Sequence, residues 1–234
     1  MECWKKILFL AVVCLIMIIL LITIPKHIKA PVFSYKPRIA CAIHTMAGNE
    51  QKALAAQLSW ARYCDRYHFV ASKPDMEDTH ENVIEKSLLH LDFFYHNEPD
   101  DFDFFLKADD DTFFQIDYLK DFIVENGLKA EDSYILGRRF KINGYPSGGA
   151  GYVMTRESMK KVYLEWNKSN TTCHRSGPED LLVGDCVSKA GIKFFDSLDE
   201  NDLELFYPHG FNEILYPFDI EPWLKKYNYY PIKK

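Results

Sequence analysis

The sequence predicts an α/β fold, and two observations lead to that prediction. Residues 38–108 alternate apolar runs with amphipathic segments in the order strand, helix, strand, helix, strand. This alternation is typical of a parallel sheet with right-handed crossover connections. The last of these strands runs directly into three carboxylates, Asp109, Asp110 and Asp111. Because ligands of α/β sheets collect at the carboxyl ends of the strands, we expect a binding site there.

The composition fits one globular domain. The chain has 234 residues, of which 47% are hydrophobic and 15% are aromatic, enough for one ample core and too many for a disordered protein. The formal net charge of -6 lacks the basic excess of nucleic-acid-binding proteins, so no nucleic-acid partner is predicted.

The N-terminal segment differs from the rest of the chain. Residues 7–24 carry no charge and would span roughly 27 Å as a helix, close to the thickness of a hydrocarbon core. A cleaved signal peptide is the alternative, but its apolar region would be shorter and would end in a small-x-small cleavage site. We therefore predict a single-pass signal anchor at 7–24, a cytoplasmic tail at 1–6, a short lumenal stem at 25–37 and a globular domain at 38–234.

Cysteines and glycosylation motifs indicate the lumen of the secretory pathway. Two local pairs, Cys41 with Cys64 and Cys173 with Cys186, would each close a short loop. Four cysteines permit three pairings, and buried free thiols in a reducing compartment are a further alternative. Asn167 and Asn170 each begin an N-glycosylation sequon.

The elements before the three aspartates follow from hydrophobic spacing. Strands are predicted at 38–45, 67–71 and 104–108, and helices at 51–61 and 80–96. The apolar positions of the first helix are Ala53, Leu54, Leu58 and Ala61, at helical spacing.

The second half of the chain continues the alternation. Helices are predicted at 116–125, at 156–166 and from Pro178 onward, and strands are predicted at 134–137, 152–154 and 192–196. Asn126 and Gly127 form a typical end for the helix at 116–125.

The three aspartates have a functional and a structural interpretation. Hard divalent ions such as Mg²⁺ and Mn²⁺ prefer carboxylate oxygens and often share their coordination sphere with substrate phosphates. An acidic cap on the next helix is the alternative, although it explains one Asp rather than three. An EF-hand loop is excluded, because the sixth position from Asp109 is Phe114 where that motif requires Gly.

Two further charged stretches are candidates for the same site. Arg138, Arg139 and Lys141 can face a diphosphate or form a solvated basic turn. Glu179 and Asp180 can cap the helix that starts at Pro178, or a carboxylate there can accept a proton from an attacking hydroxyl.

Taken in order, the motifs resemble the core 1 β-1,3-galactosyltransferases, within the inverting β-1,3-glycosyltransferase family that includes the fringe proteins. The resemblance covers the chain from Arg38 almost to its end. It rests on six ordered stretches, at 60–64, 105–112, 137–141, 147–153, 179–186 and 227–231.

The resemblance implies a type II membrane enzyme of the Golgi or endoplasmic reticulum. Its GT-A domain, a Rossmann-like nucleotide-diphospho-sugar transferase fold, would transfer galactose from UDP-galactose to a GalNAc-bearing glycoprotein or glycopeptide. The acceptor atom would be the 3-hydroxyl of N-acetylgalactosamine on Ser or Thr. The reaction would invert the anomeric carbon and use Mn²⁺, and assembly as a homo-oligomer is compatible with it.

The resemblance also implies roles for individual residues. Asp109 and Asp111 would hold Mn²⁺, and Asp180 would be the catalytic base. The residues expected beside UDP are Asn49, Asp109, Asp110, Asp111, Arg139 and Lys141. The residues expected beside the acceptor are Trp223, Tyr152 and Glu179.

The chain also departs from the family pattern. Family members continue beyond the 227–231 motif into a cysteine-rich segment with a metal-binding histidine, whereas this sequence stops at Lys234. His209 or His44 would have to replace that ligand, and Asp78-Thr79-His80 replaces an acidic-Gly-Arg element. Two alternatives therefore remain: a lumenal homologue that binds or chaperones an active transferase, and a fringe-like enzyme that uses another UDP-sugar.

Overall fold

A computed structural model describes residues 35–71, 82–98, 100–141, 144–170, 173, 177–208 and 226. The chain divides into two units, Met1–Tyr35 and Lys36–Lys234, and the elements below belong to the second. The predicted anchor at 7–24, His209, Trp223 and the 227–231 motif lie outside the described residues. Within the described part of the chain, no helix has both the length and the apolar character needed to cross a membrane.

The predicted elements are present with small shifts at their ends. The strands are β1 Ile39–His44, β2 Arg66–Val70, β3 Phe104–Asp109, β4 Tyr134–Gly137, β5 Tyr152–Thr155 and β6 Lys193–Phe195. The helices are α1 Glu50–Ser59, α2 Val83–Asn97, α3 Ile116–Glu125, α4 Arg156–Trp166 and α5 Glu179–Lys189, with a 3₁₀ turn at Ala61–Tyr63.

The six strands form one mixed sheet in the order β2-β1-β3-β5-β4-β6. As predicted, β1 is parallel to both β2 and β3. The structure adds a further parallel pair, β4 with β6. The exception is β5, which is antiparallel to β3 and to β4. This reversal places Tyr152, the first residue of β5, opposite Lys107 of β3. The turn that precedes β5 therefore lies at the carboxyl end of β3.

Helices cover both faces of the sheet. Ile39, Cys41 and Ile43 of β1 pack on one face with residues of α1 and α3, and Ala40 and Ala42 pack on the other face with residues of α2, α4 and α5. All six residues of β1 are buried, which explains its continuous apolar sequence. The predicted α/β class is therefore confirmed.

Of the four apolar positions predicted for this helix, Ala61 is buried in the 3₁₀ turn that follows α1 and Ala53 is half-buried, but the two leucines are exposed. Leu54 and Leu58 are 52% and 62% exposed, whereas Ala56 and Trp60 are buried. The two pairs lie on opposite sides of the helix, since two residues correspond to about 200° of rotation. The large indole of Trp60 packs edge-to-face on Phe114. Because burying it removes more apolar surface than burying a leucine, Trp60 decides which side faces the sheet.

Both predicted disulfides are present, and all four sulfur-bearing residues are buried. Cys41 of β1 is bonded to Cys64 at the end of the 3₁₀ turn. Cys186 of α5 is bonded to Cys173 in the segment before that helix. The second bond therefore ties α5 to the chain that leads into its N-terminus.

Candidate functional site

The three aspartates form a turn at the carboxyl end of β3, and Asp110 is buried and hydrogen-bonded to β1 and the loop after it. Its backbone N–H donates to the His44 carbonyl of β1 at 3.0 Å. Its carboxylate accepts from Thr45 Oγ1 at 2.7 Å and from Asn49 Nδ2 at 3.4 Å. Burial raises the pKa of Asp110, and the hydrogen bonds from Thr45 and Asn49 oppose this. Asp110 and Asn49, both expected beside the nucleotide, therefore meet each other and join β3 to the β1–α1 loop.

The flanking aspartates are more exposed, and each pairs with a lysine. Lys107 Nζ lies 2.8 Å from Asp109 Oδ1, and Lys52 Nζ lies 3.0 Å from Asp111 Oδ2. The side chain of Asp109 is 32% exposed and that of Asp111 is 60% exposed. Like charges at this density need compensation, and two lysines supply it.

Lys107 is the residue that the sequence reasoning missed. Its ammonium is buried, and besides Asp109 it donates to the Gly148 carbonyl at 2.9 Å and lies 3.9 Å from Glu179 Oε2. Although burial alone would lower it, the pKa of Lys107 is raised by Asp109 and Glu179, so the ammonium stays charged. A lysine within an apolar strand, two residues before an aspartate and hence on the same face, was the available signal.

Glu179 begins α5 and lies inside the protein. Its Oε1 accepts hydrogen bonds from Ser87 Oγ of α2 and from Tyr152 OH of β5, both at 2.8 Å. Burial raises the pKa of Glu179, against the effects of Lys107, Ser87 and Tyr152. Glu179 and Tyr152 are thus partners of each other, and their acceptor-binding role stays a prediction.

Asp180, the predicted base, follows Glu179 and is partly exposed. Its Oδ2 accepts from the Gly148 N–H at 3.4 Å, and its Oδ1 accepts from the Leu181 N–H at 2.9 Å. Burial raises the pKa of Asp180, opposed by these N–H groups and by Lys107. A carboxylate with a raised pKa binds a proton more strongly than one in water, which suits a general base.

The turn at 147–151 contains glycines because it passes close to protein groups. A Cβ on Gly148 would lie 2.7 Å from Glu179 Oε2. Gly151 has a φ of 75°, and a Cβ there would lie 2.7 Å from the Lys107 carbonyl oxygen. Side chains at these positions would separate the turn from Lys107 and Glu179.

The basic stretch after β4 divides into different environments. Arg138 is fully buried, donates to the Phe206 carbonyl at 3.0 Å and lies 4.7 Å from the centre of the Tyr207 ring. It therefore anchors the segment after β6 and is not part of a solvated basic turn. The Arg139 guanidinium lies over the ring of Phe194, and Lys141 is exposed. The predicted UDP contacts of Arg139 and Lys141 stay predictions.

The acidic turn fits a hard divalent cation in its donor chemistry. Asp109 and Asp111 offer carboxylate oxygens, the ligands that Mg²⁺ and Mn²⁺ prefer, and such ions take further ligands from phosphate and water. Among the described residues, no three His, Cys, Asp or Glu side chains are grouped so as to hold a metal ion. His44, one suggested replacement ligand, has its Nε2 2.8 Å from His90 Nδ1 in a buried pair. The other, His209, lies outside the described residues.

Comparisons with known proteins agree with the motifs. The galactosyltransferase family model matches residues 69–148, which include the acidic turn. The chain is 30% identical over 188 residues to glycoprotein-N-acetylgalactosamine 3-beta-galactosyltransferase 1 of Xenopus laevis, an alignment that covers 75% of this chain and 51% of that protein. It is 24% identical over 195 residues to chondroitin sulfate synthase 3 of Homo sapiens, covering 68% of this chain and 21% of that protein.

A solved structure of a glycosyltransferase involved in the glycosylation of the major capsid of PBCV-1 matches with a TM-score of 0.38 and 14% identity. The match covers 59% of this chain and 72% of that one. The chain spans about half the length of its Xenopus relative and about a fifth of its human relative. The family model and the Xenopus relative confirm the resemblance seen in the motifs: over the residues that align, the chain is similar to the core 1 β-1,3-galactosyltransferases.

Proposed function

We propose that the protein is an inverting, Mn²⁺-dependent galactosyltransferase that transfers galactose from UDP-galactose to the 3-hydroxyl of O-linked N-acetylgalactosamine on Ser or Thr. One observation carries the proposal: carboxylates from two distant chain segments meet at one edge of the sheet. Asp109 and Asp111 come from the end of β3 and Asp180 from the start of α5, and Lys107 lies between Asp109 and Glu179, the residue before Asp180. The name of the Xenopus relative supports the choice of donor and acceptor sugars.

On the donor side, Asp109 and Asp111 would hold the cation in a GT-A domain. When bound, the cation would act as a Lewis acid on the leaving diphosphate. Asn49 and Asp110, which are hydrogen-bonded to each other, shape the loop expected beside the nucleotide.

On the acceptor side, Asp180 would take the proton of the acceptor 3-hydroxyl. The oxygen would then attack the anomeric carbon from the face opposite UDP, the bond to the UDP oxygen would break, and the configuration would invert. Inverting hydrolases likewise place a base and an acid on opposite sides of the sugar. The proposal therefore assigns the base to the start of α5 and the cation to the end of β3.

The secretory pathway is the proposed location, with the globular domain in the lumen of the Golgi or endoplasmic reticulum. Two disulfides support it, because disulfides persist in oxidising compartments.

The test uses the full-length chain purified in detergent, with UDP-galactose, a GalNAc-O-serine glycopeptide and either Mn²⁺ or EDTA. We expect transfer with Mn²⁺ and none with EDTA. Asp111→Ala and Asp180→Asn should each lower kcat by about 100-fold or more. Asp117→Asn is the matched control, because Asp117 is an exposed acid on α3, the next helix, and should leave kcat unchanged.

The alternatives have distinct outcomes in the same assay. A folded chain that binds UDP and transfers nothing would reject the enzyme and favour the binding or chaperone role. Transfer from a different UDP-sugar would favour the fringe-like reading.

A further inference from the structure

We propose that Lys107 is a positioning residue that couples the Asp109 end of β3 to the Glu179–Asp180 end of α5. The inference rests on the proposed function, because the coupling affects turnover only when both ends act on the same pair of substrates. It assigns a role to a buried cation that touches neither sugar.

The position of Lys107 gives the first argument. It lies in a central strand, opposite Ala42 of β1 and Tyr152 of β5, and is 2% exposed. A buried ammonium persists only where partners compensate it. Its three partners belong to different segments: the Asp109 carboxylate, the Gly148 carbonyl and, at the longer distance of 3.9 Å, the Glu179 carboxylate. One side chain therefore joins β3, the turn before β5 and the start of α5.

Gly148 carries the coupling to Asp180. Its carbonyl accepts from Lys107, and its N–H donates to Asp180 Oδ2. A Cβ on Gly148 would lie 2.7 Å from Glu179 Oε2, so a side chain there would displace the Glu179 carboxylate. A shift of Lys107 would therefore move the group that orients Asp180.

Ser87 and Tyr152 hold the Glu179 carboxylate through the oxygen that does not face Lys107. Both donate to Glu179 Oε1, which leaves Oε2 as the oxygen nearest to Lys107. Lys107 and Asp109 of β3 and Tyr152 of β5 are the charged and titratable groups that act on Glu179, and Lys107 also acts on Asp180. The buried His44 and His90 interact with Lys107 as well, and its charge lowers their pKa values. Lys107 is the cation among them, and removing it takes away a charge that favours ionised Asp180.

The first experiment measures turnover against pH for Lys107→Met and Lys107→Arg. We expect Lys107→Met to lower kcat by about 10-fold or more, to leave KM for the acceptor nearly unchanged, and to move the acid limb of kcat upward by about half a pH unit. Lys107→Arg should retain more turnover than Lys107→Met, and the acid limb of its kcat profile should stay at the wild-type pH. Loss of kcat with an unmoved acid limb, no better in Lys107→Arg, would overturn the inference.

Lys120→Met is the matched control. Lys120 also pairs with a carboxylate at 2.8 Å, that of Asp65, but Asp65 accepts from the Ile39 N–H at the amino end of β1, away from the site. This variant should match the wild type in kcat and in its pH profile. A shifted acid limb in Lys120→Met would show that the shift is not specific to Lys107.

The second experiment needs no activity and compares thermal unfolding of Lys107→Met, Glu179→Gln and the double variant. Lys107→Met should lower Tm strongly, because it leaves the buried Glu179 carboxylate without its cation. Glu179→Gln in the same chain should restore part of that loss, and it should restore folding if the single variant does not fold. A double variant no more stable than Lys107→Met would overturn the pairing. This result stands even when the wild-type chain transfers no galactose, so failure of the proposed function and failure of this inference are distinct outcomes.

Discussion

Substitution of Gly151 by alanine should destabilise the protein through close contact with β3. Gly151 has a φ of 75°, a left-handed conformation that costs an alanine about 1–2 kcal/mol. The added Cβ would lie 2.7 Å from the Lys107 carbonyl oxygen and 2.8 Å from Phe114 Cζ. The first is a backbone atom and the second belongs to a ring packed in the core, so the overlap should cost about 1–3 kcal/mol more. We expect the free energy of unfolding to fall by about 2–5 kcal/mol in total.

Gly127→Ala is the matched control. Gly127 follows α3 with a φ of 64°, and nothing lies within 4 Å of an added Cβ. The variant shares the backbone cost without the contact, so its loss should be about 1–2 kcal/mol. The difference between the two variants isolates the close approach of the turn to β3.

The assay is urea unfolding of the full-length chain in detergent, followed by tryptophan fluorescence. Trp60 and Trp166 are buried on opposite faces of the sheet and should both report the loss of the core. A Gly151→Ala variant no less stable than Gly127→Ala would refute the reasoning, because it would show that the turn can move away from Lys107 at little cost.

Three further predictions concern stability. Burial, together with Lys107, lowers the pKa of His90 to about 3, so the unfolded chain binds a proton near pH 6.5 that the folded chain does not. The contribution of neutral His90 to the free energy of unfolding should therefore be fully present above pH 6.5 and should be lost as the pH drops toward 3. In urea unfolding at several pH values, His90→Gln should make the free energy of unfolding less dependent on pH, by up to about 1.4 kcal/mol per pH unit. An unchanged pH dependence would contradict the assignment. Leu58→Ala, on α1, should lower the free energy of unfolding by less than about 0.5 kcal/mol in the same assay, whereas Leu91→Ala, at a buried position on α2, should lower it by about 2–5 kcal/mol. A loss in Leu58→Ala as large as that in Leu91→Ala would show that α1 faces the sheet differently. Cys64→Ser should cost about 2–4 kcal/mol by breaking the bond to Cys41, and wild-type stability without it would contradict a stabilising role.

Local signals predicted the elements well where a terminating residue was present. The predicted helix at 116–125 has those bounds in the structure, followed by Asn126 and Gly127, and the predicted strand at 134–137 and helix at 156–166 also keep theirs. Capping and turn residues act over a few positions, so one stretch of sequence contains the whole signal.

The buried face of a helix and the direction of a strand were harder to predict than the presence of the helix or strand. Apolar residues lie on two sides of α1. Trp60 is buried while Leu54 and Leu58 are exposed, and this outcome depended on the packing partners that the core provides to each side. The antiparallel direction of β5 likewise has no signal in its own four residues, because a buried strand is apolar whether it runs parallel or antiparallel to its neighbours.

The sequence by itself determined the alternation of strands and helices and the placement of three carboxylates at the end of β3, and it favoured the two local disulfide pairs that the structure contains. These features depend on periodicity, short loops and strand ends, all of which are local. Only the tertiary structure decided that Lys107 lies between Asp109 and Glu179, and that Ser87 donates to Glu179 across 92 residues of sequence. The spacing of Lys107 and Asp109 on one strand indicates that pair, but the contacts of a buried charge with distant segments depend on the fold, and no spacing in the sequence specifies them.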